Sequence, residues 1–481
     1  MSDMHARHPE GGRVRGGLRL RPFDDPRRAS VKWLGVATEG PPVWVGLTVD
    51  DARRHLDIKG TTGAGKTVRL TGLALGEAEA GRGLAVVDLQ GDMSAMLLDR
   101  MPADCAERLV IIDPTDRGAP PSFNPLSAFS GETTSGQGRS GADSGEGAEW
   151  AADTLTTVFA QIYRQWWGPR MDELMRAACV SLAADPAATL PDVLRLLTDA
   201  GYRRRFLHRY PPRPVLASLW TEFEQLSAQQ RAALCAPLAS RLRAVLSRSF
   251  AEQLLGCPVS TFSLSDILDG AILIARLPKG ELGADAARLI GSLLVSGLWA
   301  HTTRRARRAP HDRPDATIMI DEAHNLLNLP IGVDEALSES RGYRVCWMLA
   351  HQNLGQLSGP VREAIDTNAR TKLFFTVSPE DARRLVSHVR PYFSEHDLAN
   401  NPARRMIVRS IHHGTNQPPY TLHSPALPDP IPGRAAYLRR HARARTGLSA
   451  AARRRYQHQR DTDQAAGSSR LHHTGQPAPP A

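Results

Sequence analysis

The sequence predicts an α/β fold with a mostly parallel sheet that is interrupted by an all-α insertion. Two observations support this. Short apolar runs of strand length alternate with helical patterns near both ends of the chain, which is typical of a parallel sheet. Between residues 150 and 257, apolar residues recur only at helical spacing. The simplest topology is one α/β domain that a helical domain divides into two parts.

The same patterns divide the 481 residues into six segments. We predict an N-terminal arm with an edge strand, the first part of the α/β domain, a flexible Gly/Ser-rich linker, the all-α insertion, the second part of the α/β domain and a basic tail that is disordered or helical. In that order they span residues 1–46, 47–129, 130–149, 150–257, 258–428 and 429–481. The predicted strands are 43–47, 55–59, 84–89, 109–113, 271–277, 317–321, 344–352, 371–377 and 406–411.

The charge of the chain is concentrated at its ends. Lys and Arg number 60 against 50 Asp and Glu, a net charge of +10. Residues 431–481 hold ten Arg and two acidic residues, whereas residues 47–430 are nearly neutral. Net charge therefore gives no evidence that the body of the protein binds nucleic acid. The tail is a candidate for sequence-independent contact with a phosphate backbone, and a solvated extension is the alternative.

Cysteine usage and hydropathy predict the compartment. The five Cys are widely spaced and form no CxxC pair, which is typical of reduced thiols in the cytosol. The longest apolar run, residues 289–300, is too short to cross a bilayer. We predict a cytoplasmic protein without a transmembrane segment of its own. Peripheral attachment at the inner face of the cell membrane is the alternative.

A phosphate-binding loop is the most specific motif. Residues 60–67 read GTTGAGKT, which matches GxxxxGK[ST] between a predicted strand and a predicted helix. Glycines allow backbone N–H groups to converge on a phosphate, Lys66 reaches the β and γ oxygens, and the Thr67 hydroxyl ligates Mg²⁺. The pattern predicts ATP and Mg²⁺ as cofactors. The predicted nucleotide-binding residues are Gly60, Thr61, Thr62, Gly63, Ala64, Gly65, Lys66 and Thr67.

Carboxylates end three of the predicted strands. Asp88, Asp113 and Asp321 each follow an apolar run, but only Asp321 is followed by a second acid, Glu322. ATP hydrolysis needs one carboxylate to hold the metal and another to polarise the attacking water. We assign Asp321 to Mg²⁺ and Glu322 to the catalytic base. Asp88 and Asp92 are candidates for supporting roles, and for Asp88 and Asp113 a strand-end turn or helix cap is the alternative.

Two further residues are candidates for the reaction. Gln352 ends the strand after Asp321 and would sense the γ-phosphate, with a structural strand-end amide as the alternative. Arg341 lies between those two strands and is a candidate finger that reaches the nucleotide of a neighbouring subunit.

Basic residues in two places are candidate contacts to nucleic acid. Residues 202–213 read YRRRFLHRYPPR and interleave cations with aromatic residues. The alternative is an amphipathic helix in which Tyr202, Phe206 and Tyr210 form a buried stripe. The candidate nucleic-acid contacts in this segment and in the tail are Arg203, Arg204, Arg205, Arg439, Arg440, Arg453, Arg454 and Arg455.

An ordered set of motifs resembles a known family. The segments, in chain order, are LDIKGTTGAGKT, AVVDLQGDM, VIIDPTD with FNPL, WGPRMDELMRAA, IARLPKGELGADAARLIGSLL, TIMIDEAHN, SESRGYRVCWMLAHQNLGQL and TNARTKLFFTVSPEDARRL. They resemble the TraG/TraD-like coupling ATPases of conjugation and type IV secretion, within the HerA–FtsK class of DNA pumps. The resemblance covers residues 35–425.

The resemblance implies a RecA-like P-loop ATPase that forms a ring, usually hexameric, and threads DNA through a central channel. It implies the nucleotide loop at Lys66 and Thr67, and the acidic motif at Asp321 and Glu322. It also matches Gln352 to the glutamine of the following strand, and Arg341 to the arginine that reaches a neighbour's nucleotide.

The chain departs from the family in one respect. Coupling proteins usually begin with transmembrane helices, and we predict no such helix here. Either a separate membrane subunit anchors the protein, or it is a soluble DNA pump with another role. Three hypotheses remain: an ATP-driven DNA translocase that delivers DNA or a relaxase–DNA complex to a transfer channel, a soluble HerA-like DNA pump in repair or defence, and a nucleotide-gated adaptor that captures DNA or protein without pumping.

Overall fold

One large sheet forms the framework of the α/β part of the chain. The computed structural model describes residues 6–7, 13–15, 18–21, 30–40, 42–128, 141–327 and 332–459. The strands are β1 (Ala6–Arg7), β2 (Arg13–Arg15), β3 (Leu18–Arg21), β4 (Val31–Ala37), β5 (Trp44–Thr48), β6 (Leu56–Lys59), β7 (Gly83–Asp88), β8 (Leu109–Ile112), β9 (Ile272–Arg276), β10 (Ala316–Ile320), β11 (Val345–His351), β12 (Thr371–Phe374), β13 (Arg405–Arg409), β14 (Ile411–His412), β15 (Thr415–Asn416) and β16 (Tyr420–His423).

Helices connect these strands and form the middle of the chain. They are α1 (Val49–Ala52), α2 (Lys66–Glu79), α3 (Asp92–Leu98), α4 (Pro125–Ala128), α5 (Gly141–Ile162), α6 (Pro169–Leu182), α7 (Leu190–Thr198), α8 (Ala200–Arg209), α9 (Pro214–Gln225), α10 (Ala228–Leu246), α11 (Ser249–Leu255), α12 (Leu264–Leu268), α13 (Lys279–Leu282), α14 (Ala284–Arg304), α15 (Val333–Ser340), α16 (Gly359–Asn368), α17 (Pro379–Leu385), α18 (Glu395–Ala399) and α19 (Arg434–Thr446). Residues 450–459 are also helical.

The chain divides into two units. The first comprises Met1–Asp113, Leu264–Glu281 and Leu294–Ala442, and the second comprises Pro114–Ser263, Leu282–Leu293 and Arg443–Ala481. The first unit contains the sheet, whose strands run in the order β1-β2-β3-β5-β4-β16-β13-β12-β6-β11-β10-β7-β9-β8. The seven strands from β12 to β8 in that order are parallel, and the pairs from β1 to β13 are antiparallel.

This order determines where the strand ends meet. β11 lies between β6 and β10, with His351 paired to Lys59 and Ile320 paired to Leu349. Because these strands are parallel, the segments that follow β6, β10 and β11 leave the sheet at one edge. The loop after β6, the acidic pair after β10 and the glutamine after β11 are therefore neighbours.

The described elements of the second unit before residue 256 are helices. From Gly141 to Leu255 the chain forms α5 to α11, and no strand occurs among the residues described there. Capping boxes begin α7 at Thr189 and α10 at Ser227. Part of the segment predicted as a linker, residues 130–140, lies outside the described residues. Its remainder belongs to α5, so helix begins earlier than the sequence pattern predicted.

The N-terminal arm contains more strands than the sequence pattern indicated, whereas the described part of the tail is mostly helical, which is one of the two predicted alternatives. The predicted arm includes the strands β1 to β3, and β4 pairs with β5 and β16 at the antiparallel side of the sheet. In the tail, α19 buries Leu438 and Ala442 in the core of the first unit. Within the described ranges, no helix has both the length and the apolar character needed to cross a membrane.

Candidate functional site

The loop of residues 60–67 connects β6 to α2 and surrounds one buried lysine. Lys66 is the first residue of α2, and its ammonium donates to the carbonyl oxygens of Gly60 at 2.6 Å and Thr61 at 2.9 Å. Burial lowers the pKa of Lys66, and the nearby carboxylates of Asp321 and Glu322 oppose this fall. The ammonium group of Lys66 is thus held at the loop, where it can exchange these carbonyl partners for phosphate oxygens.

Two glycines of the loop have backbone conformations that other residues rarely adopt. Gly63 has φ +78° and Gly65, the N-cap of α2, has φ +112°. A Cβ added to Gly65 would also lie 3.2 Å from the ring of Phe375, which is fully buried. These glycines let the loop close over the N-terminus of a 14-residue helix, which provides free N–H groups for an anion.

Asp321 lies directly after β10 and faces the start of α2. Its Oδ2 accepts from the Thr67 hydroxyl at 3.3 Å, and its Oδ1 accepts from the backbone N–H of Glu322 at 3.0 Å. Burial and the nearby carboxylates of Asp88 and Glu322 together raise the pKa of Asp321 to about 6, although Lys66 opposes the rise. A divalent cation beside Asp321 would supply the missing positive charge. Hydroxyl and carboxylate oxygens are the ligands that Mg²⁺ prefers, so Thr67 and Asp321 fit such an ion.

Glu322 is held by two side-chain amides. Its Oε1 accepts from Gln90 Nε2 at 3.0 Å and from Gln352 Nε2, and His324 Nε2 lies 3.6 Å from its Oε2. The residue is 7% exposed and has φ +58°, in the left-handed region. A non-glycine residue there costs free energy and recurs at functional sites. The backbone and both amides together orient one carboxylate at the mouth of the phosphate loop.

Gln352 connects the phosphate loop to this carboxylate. Its amide oxygen accepts from the Thr62 hydroxyl at 2.9 Å, while its amide nitrogen donates to Glu322. The position of β11 between β6 and β10 makes this bridge possible. Gln352 can therefore respond to a group bound in the loop and move Glu322 in consequence.

Asp88 does not extend toward the loop. Its Oδ1 accepts from the backbone N–H groups of Gln90 at 3.0 Å and Gly91 at 2.7 Å, and its Oδ2 from that of Ser94 at 2.8 Å. It therefore stabilises the turn after β7, as the alternative interpretation expected, and this turn presents Gln90 to Glu322. Asp92 is exposed in the first turn of α3.

Gln90 is a site residue that the sequence interpretation missed. It stands between Asp88 and Asp92, and the pattern drew attention only to those carboxylates. The signal that could have found it is its place two residues after a strand that pairs with the Asp321 strand. Asp113 lies elsewhere, because its buried carboxylate pairs with Arg276 at 3.1 Å and Arg439 at 2.5 Å.

Arg341 lies at the other edge of the sheet from Lys66. It caps the C-terminus of α15 and is exposed, four residues before β11 begins. The adjacent Gly342 carbonyl accepts from Arg313, which precedes β10, at 2.8 Å. The seven residues of β11 separate Arg341 from Gln352 by about 23 Å. The structure therefore does not bring Arg341 to the phosphate loop of its own chain.

Two predicted nucleic-acid contacts are wrong because their side chains are buried. Arg203 is 1% exposed, pairs with Glu224 at 2.6 Å and lies over the ring of Phe223. Arg453 is 7% exposed and donates to the backbone carbonyls of Gln253 and Pro120. Both guanidinium groups stabilise the second unit from inside.

The other candidate contacts remain accessible to different degrees. Tyr202 and Phe206 are buried with their rings 5.8 Å apart, which favours the alternative of an amphipathic helix for α8. Arg439 is 30% exposed and paired with Asp113. The exposed candidates are Arg204, Arg205, Arg440, Arg454 and Arg455.

Comparison with known proteins points to one group. Residues 315–390 match the protein-family model for the TraM recognition site of TraD and TraG. The plasmid coupling protein TrwB in complex with the non-hydrolysable ATP analogue ADPNP aligns with a TM-score of 0.57 and 19% identity, over 81% of this chain and 90% of that chain. This chain is similar to the TraG/TraD-like coupling ATPases. The resemblance and the RecA-like P-loop fold predicted from the ordered motifs are thereby confirmed.

Two other solved structures support the same fold. TrwB in complex with ADP and Mg²⁺ has a TM-score of 0.55 and 17% identity, over 81% of this chain and 90% of that chain. VirB4 of Thermoanaerobacter pseudethanolicus has a TM-score of 0.53 and 17% identity, over 86% of this chain and all of that chain. No curated protein sequence matches the chain significantly. The segment that matches the TraG/TraD model contains Asp321, Glu322, Arg341 and Gln352.

Proposed function

We propose that this chain is an ATP-hydrolysing DNA translocase that delivers DNA, or a relaxase–DNA complex, to a transfer channel. The observation that supports hydrolysis best is the bonded series Thr62–Gln352–Glu322–Gln90 beside Lys66. It places an oriented carboxylate next to a phosphate-binding loop. The likeness to conjugative coupling proteins supports DNA as the partner and transfer as the process.

Each residue of the site has a defined role in this proposal. The loop N–H groups and Lys66 bind the β- and γ-phosphates of ATP, and Thr67 and Asp321 hold Mg²⁺. Mg²⁺ held by these two residues would neutralise charge on the phosphate oxygens. Glu322 accepts a proton from the attacking water, because its carboxylate is fixed by Gln90 and Gln352. The bond from Thr62 to Gln352 links γ-phosphate loss to movement of β11.

The position of Arg341 supports an assembly of several copies. A guanidinium exposed at the opposite edge of the sheet cannot reach its own loop, but it can reach the loop of a second copy in a ring. We propose a homo-oligomer, a hexamer by likeness to the family, in which Arg341 completes a neighbour's site. The protein is cytoplasmic, and a separate membrane subunit anchors it at the channel.

DNA-stimulated hydrolysis tests this function. We expect single- or double-stranded DNA to raise the ATPase rate several-fold, and Lys66→Ala to abolish the basal and the stimulated rates. Phosphate release is measured against DNA concentration at two salt concentrations. A basal ATPase that neither DNA form stimulates would contradict the proposal. The same measurement is made on two variants in which exposed arginines predicted to contact DNA are replaced.

In one variant Arg204 and Arg205 are replaced by Gln, and in the other Arg440, Arg454 and Arg455 are replaced. Each lost phosphate contact should raise the DNA concentration for half-maximal stimulation and reduce the salt slope by about 1. Replacement is preferable to removal of residues 431–481, because α19 belongs to the core of the first unit. The control is Arg383→Gln with Arg384→Gln, an exposed pair on α17. An equal effect of the control would show a nonspecific loss of charge.

A further inference from the structure

A second concave site lies along the side of α2, within the first unit. Its volume is about 270 Å³, and it is lined by α2, by the aromatic residues of β4 and β5, and by residues 425–428. The lining begins at Val68, two residues after Lys66, and continues past Gly72 and Gly76. We call it the α2 pocket. Nothing in the phosphate-binding arrangement uses it.

Among the residues that the structure describes, one buried cation of the α2 pocket has no carboxylate partner. Arg69 is 4% exposed, and its Nε has no hydrogen-bond partner among the described residues. Burial lowers the pKa of Arg69 to about 10. The other two cations of the lining are satisfied, since Lys32 and Arg82 each bond to Glu77 at 2.8 Å. A buried guanidinium without an acceptor is costly, so an acceptor supplied by a ligand would be bound strongly.

The walls of the pocket suit a flat apolar body. The indole rings of Trp33 and Trp44 meet edge to face at 6.2 Å between centroids. A Cβ on Gly72 would lie 2.6 Å from the Arg69 Nη2 atom, so the end of the Arg69 side chain lies directly against the helix at this glycine. A Cβ on Gly76 would meet no atom within 4 Å, because that position faces open space.

We propose that the α2 pocket binds a flat ring that carries hydrogen-bond acceptors, with Arg69 as the donor. The ring can come from two sources. One is the base of the nucleotide whose phosphates are bound at Lys66, since Gly72 lies only about 9 Å further along the helix. The other is a separate aromatic anion. The first source rests on the proposed function, and the second does not.

Two variants test the pocket, one by removing the hydrogen-bond donor and the other by filling the space. Arg69→Met removes the donor and keeps an apolar chain, while Gly76→Leu fills the space and favours helix. Dissociation constants are measured on the full chain for ADP, for inorganic tripolyphosphate and for 8-anilinonaphthalene-1-sulfonate, a fluorescent aromatic anion. Arg69→Met should weaken ring binding about tenfold, the effect of losing one hydrogen bond to a charged group. Gly76→Leu should weaken it at least as much, because the leucine side chain occupies the space of the ring. Tripolyphosphate affinity should not change.

The three ligands distinguish the two possible sources of the ring. Weaker ADP binding with unchanged tripolyphosphate binding assigns the pocket to the base. Weaker binding of the sulfonate alone assigns it to a separate anion. Unchanged affinity for both ring ligands in both variants overturns the proposal. Arg383→Met, at an exposed arginine of α17, is the matched control, and thermal unfolding confirms that each variant folds. A wild-type chain that fails to bind ADP and tripolyphosphate would refute the proposed function, while the sulfonate arm still tests the pocket.

Discussion

Glu322→Gln should lower kcat for ATP hydrolysis by a factor of about 10²–10⁴, the contribution of a positioned general base. The dissociation constant for ATP should stay within about threefold of wild type, because the amide keeps the shape of the carboxylate and Lys66 and the loop still bind the phosphates. Steady-state phosphate release gives kcat, and titration with a fluorescent ATP analogue gives the affinity. The variant should also accumulate bound ATP, which the wild type hydrolyses.

The control for Glu322→Gln is Glu339→Gln, an exposed glutamate on α15 within the same matched segment. It should leave both quantities unchanged. A fall in kcat of less than tenfold would show that Glu322 is not the catalytic base. A parallel loss of ATP affinity would indicate that Glu322 shapes the loop through Gln352 and Thr62 rather than acting on water.

Arg341→Ala should lower kcat by about 10³-fold, the lower end of the range for an arginine finger. The reason is positional, because Arg341 is exposed at the edge of the sheet opposite its own Lys66. In a mixed assembly, an Arg341→Ala subunit still has an intact loop, and a Lys66→Ala subunit still has the finger. Mixing the two inactive variants should restore part of the hydrolysis, with a maximum at an intermediate ratio.

Arg344→Ala is a suitable comparison for Arg341→Ala, since it alters the same turn between α15 and β11 but bonds to the backbone carbonyl of Arg313. It should keep kcat near the wild-type value, because its subunits retain both an intact loop and Arg341. If no ratio of Arg341→Ala to Lys66→Ala restores hydrolysis, while both variants still assemble by light scattering, Arg341 does not act across an interface.

The parallel half of the fold was predictable from the sequence because its strands are buried on both faces. β6 to β12 therefore appear as short apolar runs next to glycine or acidic turns. β4 and β16 were missed, since antiparallel strands with one polar face give weaker patterns. The pairing order also cannot be obtained from the runs alone, although it brings Gln352 between Thr62 and Glu322.

The site was predictable where spacing reflects chemistry, and less so elsewhere. GTTGAGKT identified Lys66 and Thr67, and two adjacent acids after a strand singled out Asp321 and Glu322. Gln90 was missed because a single amide after a strand has no distinctive spacing.

Arginine was the least predictable residue type in this chain, because composition does not distinguish a buried cation from an exposed one. Arg203 and Arg453 came from basic runs, yet both are buried and bonded within the second unit. Arg69 drew no attention in the sequence, since it is a single arginine inside a helix and belongs to no basic run. Only the structure shows that it lines a pocket and has no carboxylate partner among the described residues.

The central claim is that ATP hydrolysis at this site moves DNA. The most direct measurement is displacement of a third strand from a DNA triplex, or of streptavidin from the end of a biotinylated single strand, with ATP present. The wild-type protein should displace one of these blocks in proportion to the ATP hydrolysed, and Glu322→Gln should displace neither. Wild-type protein that binds DNA and hydrolyses ATP but displaces neither block would contradict translocation and would identify the chain as a nucleotide-gated adaptor.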